Sequence, residues 1–433
     1  MIMRTIALVL GLTGWISMGF GQLRPSWVDS AVQQTGDAMV AHYAFPETAK
    51  QARDFLLEQR KKGSYNHIRS GEDLALMLTR DLRRVTRDLH VGLSWSANPL
   101  PAETAGGEPS AEDMEFLRRL LTESNQGIGS KKILEGNIGY IDITMFGLLR
   151  YTADSLIAAM QYVSGTDALI IDLRNCRGSM DPAAIPFLSG YFFERPVHLN
   201  DFYNRAGNDT SQSWSYGWVP GKTYYGKPVY ILTSGRTFSG GEEFAYDYKN
   251  LKRAVIVGET TGGGANPGMS HRINDHLEAF IPYGRAINPV TKTNWEGVGV
   301  KPDTMVKANR ALQKAHELAL QRLIAGTSTA EMRKRLLVSL DRVRSNAPVF
   351  RQVSFILPGY ASATEVVLSG SFNFWDRRQY RMEKTNTGWA ITVEVEPGEH
   401  QYKFVVDGKW ILDPGNANTK QQNEAVNSVI RVG

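Results

Sequence analysis

The stretch KPVYILTSGRTFSGGEEFAYDYKNLKRAVIVGETTGGGANPG, residues 227–268, constrains the fold of this chain more than any other. It reads as a buried strand (Pro228–Thr233), a glycine turn, a helix (about Ser239–Leu251) and a second buried strand (Ala254–Gly258). Val229, Ile231, Ala254, Ile256 and Val257 suit strands covered on both faces. Phe244, Tyr248 and Leu251 recur at helical spacing and give the helix an inward face. Ser239 stands where strand passes to helix, and Gly240 and Gly241 after it admit close backbone approach. The free N–H groups at that helix start suit a developing oxyanion. Locally, the same Ser-Gly-Gly-Glu-Glu also reads as an ordinary helix cap with acidic residues in the first turn.

The surrounding chain extends the alternation. Strand IGYIDI (138–143) precedes a helix near Thr152–Val163, and strand ALIIDL (168–173) precedes one near Asp181–Tyr191. Strands alternating with helices predict a largely parallel sheet with ligands at the carboxyl ends of its strands. Asp172, Ser239 and the Gly262–Gly264 turn fall at such ends. Upstream, Trp27–Ala41, Thr48–Lys62 and Gly71–Asp88 read as helices, followed by a strand start at His90–Trp95. Residues 200–226 read as an aromatic-rich loop, and Asn294–Asp303 as a turn-rich strand. From Val349 the pattern becomes short alternating strands broken by Pro-Gly and Asp-Gly turns, which predicts a β-sandwich.

These shifts predict a multidomain chain: a helical N-terminal domain over 22–96, a linker over 97–135, an α/β core over 136–306, a helical connector over 307–347 and an all-β domain over 348–433. A length of 433 residues accommodates that number of units, and 42% hydrophobic with 21% charged residues is a globular balance. Residues 1–21 carry Arg4, the apolar run IALVLGLTGWISMGF and a small-x-small site at Gly19-Phe20-Gly21, so the expectation is a signal peptide cut after Gly21 and a secreted or periplasmic product. Later apolar runs are too short to span a membrane. A net charge of +5 without a basic stripe gives no reason to expect nucleic acid. Cys176 is the one cysteine, which excludes an intramolecular disulfide. No spacing suggests a metal site or a cofactor.

Four segments carry a resemblance: LTRDLRRVTRDLHVGL (78–93), IIDLRNCRGS (170–179), TSGRTFSGGEEFAYDYKNLKRAVIVGETTGGG (233–264) and WEGVGVKPD (295–303). In this order they resemble the tail-specific (C-terminal processing) serine peptidases, most of all the interphotoreceptor retinoid-binding and tricorn-core subgroup. The resemblance implies a ClpP/crotonase-like core, peptide or protein substrates and Ser239 as nucleophile. Gly264 occupies the place of the lysine that processing enzymes pair with that serine, so a serine–lysine dyad there is excluded. The tricorn-like alternative is a histidine and a glutamate, matched by His90 and Glu296. His90 would serve as base and Glu296 would orient it. Backbone N–H groups of Gly240 and Gly178 are the matching oxyanion donors. His271 and His276 compete with His90, and Glu259 with Glu296. Asp172 and Arg174 read as braces of the oxyanion turn, and Cys176 as packing.

VVLSGSFNFW (366–375), GEHQYKFVVDGKW (398–410) and NEAVNSVIRV (423–432) resemble the glycogen-binding module of the AMP-activated kinase β-subunit, of the immunoglobulin-like sandwich type. That resemblance implies α-glucan binding, with Trp375 and Trp410 stacking on sugar rings and Lys403 and Asn427 meeting hydroxyls. The whole reads as a serine-type peptidase tethered to an α-glucan. Two alternatives stand beside it: a non-catalytic retinoid or fatty-acid binder on the same fold, and a glucan-binding adaptor. No PDZ-like segment interrupts the chain.

Overall fold

The computed structural model describes residues 24–101, 111–422 and 425–433, so the expected signal peptide lies outside the described residues. The chain opens with α1 (Pro25–His42), α2 (Pro46–Lys61) and α3 (Gly71–Thr86), then β1 (Gly92–Trp95). Ser70 starts α3 by accepting the Asp73 N–H, with Glu72 and Asp73 at the positive helix end. Leu74, Leu78 and Leu82 line its buried face. After α4 (Ala111–Glu123) come β2 (Ile128–Leu134), β3 (Ile138–Ile143), α5 (Leu149–Val163), β4 (Ala168–Asp172), α6 (Ala184–Ser189), β5 (His198–Asn204) and β6 (Asp209–Trp214). Then follow β7 (Val229–Thr233), α7 (Gly240–Asn250), β8 (Val255–Gly258), β9 (Gly268–Arg272), β10 (Leu277–Pro282), β11 (Gly284–Ile287), β12 (Thr304–Met305), α8 (Ala308–Gly326) and α9 (Ala330–Ser345).

The central sheet runs β12-β8-β7-β4-β3-β2, parallel except for β2. Its side chains alternate between two cores. Ile141, Leu169, Ile171, Val229, Ile231 and Ile256 meet α5–α7. Tyr140, Ile170, Tyr230, Leu232 and Val257 meet α8 and α9. Burying each large aliphatic residue contributes about 1.5–3 kcal/mol.

The structure corrects several boundaries. The helices of 307–347 are not a connector: they are the layer covering one face of the sheet, which needs two covers because it is apolar on both sides. The expected linker contains β2, a strand of that sheet. β9 and β10 leave the core and pair with β1, and Leu277, Ala279 and Ile281 pack among the residues of α1–α3. Residues 200–226 include the hairpin β5–β6; β6 is largely exposed and polar, so no apolar alternation marked it. Residues 295–303 form a turn rather than a strand. The helix expected near 181–191 shortens to six residues.

The C-terminal region is β-rich: β13 (Arg351–Pro358), β14 (Val366–Gly370), β15 (Tyr380–Arg381), β16 (Glu383–Lys384), β17 (Gly388–Val395), β18 (Gly398–Val406), β19 (Lys409–Ile411), β20 (Thr419–Gln422) and β21 (Ala425–Val432). Two antiparallel sheets, β13-β17-β16 and β15-β14-β18-β21-β20, share one core around Phe355, Leu368, Trp389 and Phe404.

Candidate active site

Ser239 immediately precedes α7 with φ 52° and ψ −121°, a conformation that costs a non-glycine residue on the order of 1–3 kcal/mol. Glu242 holds it there. Its Oε2 accepts the N–H groups of Ser239 (3.0 Å) and Gly264 (2.8 Å), while Oε1 accepts the Gly263 N–H (2.6 Å) and the Thr261 hydroxyl. One fully buried carboxyl thereby ties the serine turn to the Thr-Gly-Gly-Gly turn, and burial pushes it up to about 7. The Ser239 side chain makes no cap bond. It is left for other chemistry.

Gly178 and Gly240 lie beside that side chain. A Cβ added to Gly178 would sit 3.4 Å from Ser239 Oγ and 3.6 Å from the Gly240 nitrogen. Gly240 opens α7, so its N–H has no intrahelical acceptor. The φ of Gly178, +131°, is one that a side chain would strain. The preceding turn is braced by Arg174, whose guanidinium bonds Asp172 at 2.5 and 2.9 Å, and by Tyr140 on Asp172 at 2.7 Å. Cys176 is buried against Gly241, and burial pushes its thiol up to about 12, in keeping with packing.

Gly264 leaves the room that His90 takes. A Cβ there would come 2.7 Å from His90 Cε1 and 2.2 Å from Phe238 Cζ. The His90 and Phe238 rings lie 4.6 Å apart. Burial holds the imidazole below its ordinary pKa, with Asp88 pulling the other way and Arg83 adding to the fall. His90 is therefore neutral and able to accept a proton at pH 7.

Behind His90 two carboxyls converge. Single ligand atoms of Asp88, His90 and Glu296 lie within 4.8 Å of one another. His90 Nδ1 and Glu296 Oε1 are buried without a hydrogen-bond partner, and Nδ1 stands 3.8 Å from Asp88 Oδ1. Glu296 Oε2 accepts the N–H groups of Ala265 (2.6 Å) and Asn266 (3.2 Å). Its turn is pinned by Trp295, which donates to the Gly264 carbonyl at 2.8 Å. Burial, and next the charge of Asp88, push Glu296 up to about 8. Asp88 already accepts the His90 N–H, the Tyr43 hydroxyl and the Asn266 amide. These three residues form the cluster among the described residues that could ligate a cation; with Asp88 so engaged, the unpartnered atoms left are one nitrogen and one oxygen.

Sequence reasoning gave Asp88 no role, although Asp-x-His is a spacing at which an aspartate accepts the N–H two residues on. Glu242 was legible only as first-turn acid. The rival candidates lie elsewhere. His271 stacks on His42, His276 bonds the Ser96 carbonyl, and Glu259 accepts from Ala308 and from Gln379 of the β-rich region.

Ser239, His90, Gly178 and Gly240 line one cavity of about 1110 Å3. α3 supplies one wall, with Leu76 and Met77, and the C-terminal region supplies another, with Trp375 and Arg377. That region docks through Arg236 on the Phe374 carbonyl (2.7 Å), Arg378 on the Gly262 carbonyl (2.9 Å) and Lys409 against Asp73 (2.5 Å). Of the expected sugar contacts, Trp410 pairs with Val405 across β18–β19, and Lys403 lies two residues away on the same face. Asn427 lies opposite, one step beyond the Tyr402–Ser428 pair, and bonds Gln401 at 2.8 Å. Trp375 meets Trp410 edge-on, with centroids 6.0 Å apart. The four thus share one face away from the core, and its Trp375 end opens into the cavity.

Residues 137–306 match the model of peptidase family S41, and residues 22–124 match the N-terminal domain of Peptidase_S41 in eukaryotic IRBP. Residues 357–433 match the glycogen recognition site of AMP-activated protein kinase. Over 68 residues the chain is 40% identical to the 5′-AMP-activated protein kinase subunit beta-1 of Sus scrofa and of Homo sapiens, 16% of this chain. It spans 54% of the first and 24% of the second. Among solved structures, a lipoprotein from Streptococcus agalactiae aligns at 15% identity and TM-score 0.46, over 70% of this chain and 100% of that one. The photosystem II D1 C-terminal processing protease aligns at 13% and 0.41, over 65% and 94%. The chain thus carries two successive regions that match the N-terminal and core models of peptidase family S41, followed by a region that matches a glycogen-recognition module.

Proposed function

We propose that the chain is a secreted peptidase working through Ser239, His90 and Glu296, held near α-glucan by its immunoglobulin-like C-terminal module. The observation that carries the reading is the exchange at Gly264: no lysine side chain fits there, and the His90 ring fills the space. Ser239 Oγ attacks the scissile carbonyl while its proton passes to His90. The tetrahedral oxyanion is met by the N–H groups of Gly178 and Gly240, each such donor contributing about 2.7–4 kcal/mol. His90 then returns the proton to the leaving amine as the C–N bond breaks, leaving an acyl-Ser239 ester. A water molecule, deprotonated by His90, attacks the ester, and the serine recovers its proton as the acid departs.

Glu296 orients the imidazole from behind, while the charge of Asp88 stabilises the imidazolium. Trp375, Trp410, Lys403 and Asn427 are the proposed glucan contacts, indole faces against sugar rings and polar groups against hydroxyls. Intact mass after exposure to a fluorophosphonate tests the chemistry. One adduct, lost in Ser239→Ala and in His90→Ala, is the expected result; an adduct that survives both changes, or none in the unaltered protein, overturns it.

A further inference from the structure

The cavity wall opposite the serine is built from two domains, and its charges are unevenly matched. Most of its acids are already engaged: Asp73 with Lys409, Asp376 with Arg378, Glu365 with Arg381, and Asp407 with the Thr364 and Glu365 N–H groups, while Glu243, on the serine side of the cavity, has its carboxyl raised by burial. Asp181 accepts the N–H groups of Leu149 and Ala183. The cations differ. Arg177 and Arg377 are exposed to the cavity, and neither has a hydrogen bond or ion pair with an acid among the described residues. Arg236 donates to one carbonyl and keeps a buried, unpartnered Nε. Arg83 is satisfied by the carbonyls of Val91 and Leu89, neither of which carries a charge.

These four guanidiniums feel one another. Enclosure holds all of them below the ordinary arginine value; the charge of Arg377 lowers Arg83 and Arg177 further, Arg177 and then Arg377 lower Arg236, and Arg378 lowers Arg377. Asp376 is the one carboxylate that offsets this for Arg177, Arg236 and Arg377, and Asp88 does so for Arg83. Like charges gathered in a confined space are unfavourable unless an anion joins them. Arginine forks match carboxylates with paired hydrogen bonds. Trp375, in the same wall, gives a peptide backbone a flat surface.

We infer that the C-terminal module completes the peptidase's substrate site, with Arg377 joining Arg83, Arg177 and Arg236 to bind the side-chain carboxylates of an acidic peptide segment beside Ser239. This rests on the reading of Ser239 as nucleophile. It gives the module a second role: the face proposed to meet glucan also meets peptide, at its Trp375 end and through Arg377.

The test measures equilibrium binding to the Ser239→Ala protein, which cannot turn its ligand over. The probes are rhodamine-labelled octapeptides carrying two Glu or two Gln, each with a free or an amidated C-terminus. The Glu peptides are expected to bind about tenfold tighter than the Gln peptides, with or without the free end, and the gap should narrow as salt rises. Adding Arg377→Gln, or separately Arg177→Gln, should bring the Glu-to-Gln ratio close to one. Equal binding of the four peptides, or a preference that follows the free chain end, overturns the inference. Fluorophosphonate labelling of the unaltered protein separates the two failures. An adduct alongside equal binding sinks this inference alone, whereas no adduct sinks the nucleophile it rests on.

Discussion

Two glutamates stand near Ser239, Glu242 fully buried and Glu296 partly so, and they are built differently. Both oxygens of Glu242 are filled by N–H and O–H donors from the serine turn and the Gly263–Gly264 turn. Glu296 has one oxygen filled and the other bare, facing a histidine nitrogen that is also bare. A satisfied buried carboxyl is a fastener. An unsatisfied one beside an unsatisfied imidazole holds strain in reserve for a reaction, because burying a polar group without a partner is costly.

The largest break in that comparison is Ser239→Ala. Peptide hydrolysis should fall by about 10⁵–10⁶-fold in kcat, with the melting temperature nearly unchanged, since the Ser239 side chain makes no cap bond. Glu242→Ala should do the reverse in kind. It strands three N–H groups, so denaturant unfolding should show a loss on the order of 3–5 kcal/mol.

Glu296→Gln sharpens the contrast through pH. A carboxyl raised from 4.5 to about 8 holds its proton in the folded state where the unfolded chain has lost it. Its contribution is therefore full below pH 4.5 and is lost as pH rises towards 8. The variant lacks that loss, so its melting temperature relative to the unaltered protein should climb across this window; a constant difference would contradict the assignment. Over the same range, kcat/KM of the unaltered protein should drop only below the ordinary imidazole range, since His90 titrates low. The smallest effect is expected far from both glutamates. Trp410→Ala should weaken binding of maltooligosaccharides about five- to tenfold, measured by calorimetry, while leaving fluorophosphonate labelling intact.

Much of this was legible one segment at a time. The strand, turn and helix around Ser239 came within one or two residues of β7, α7 and β8, because an apolar run and a 3.6-residue period are local signals. Gly264 was informative for a similar reason: an absent side chain is visible in sequence, although what fills its place is not. Asp88 was harder. Its role depends on Tyr43, Asn266 and His90 arriving together from the residue that caps the end of α1, the β8–β9 connection and the loop after α3. The β5–β6 hairpin was missed because an exposed polar strand carries no apolar alternation, only backbone pairing.

By itself, then, the sequence determined the strand-and-helix alternation of the core, the place of Ser239 at a strand-to-helix junction, the exclusion of a lysine at Gly264 and the β-rich character of the C-terminal region. Each follows from residues near one another in the chain, where periodicity, turn chemistry and side-chain size act. Only the tertiary structure decided that β9 and β10 return to the N-terminal helices, that α8 and α9 cover the sheet, that Glu296 faces His90 beside Asp88, and that Trp375 and Arg377 wall the cavity of Ser239. Those outcomes come from burying apolar faces contributed by distant segments, and no local pattern encodes which faces meet.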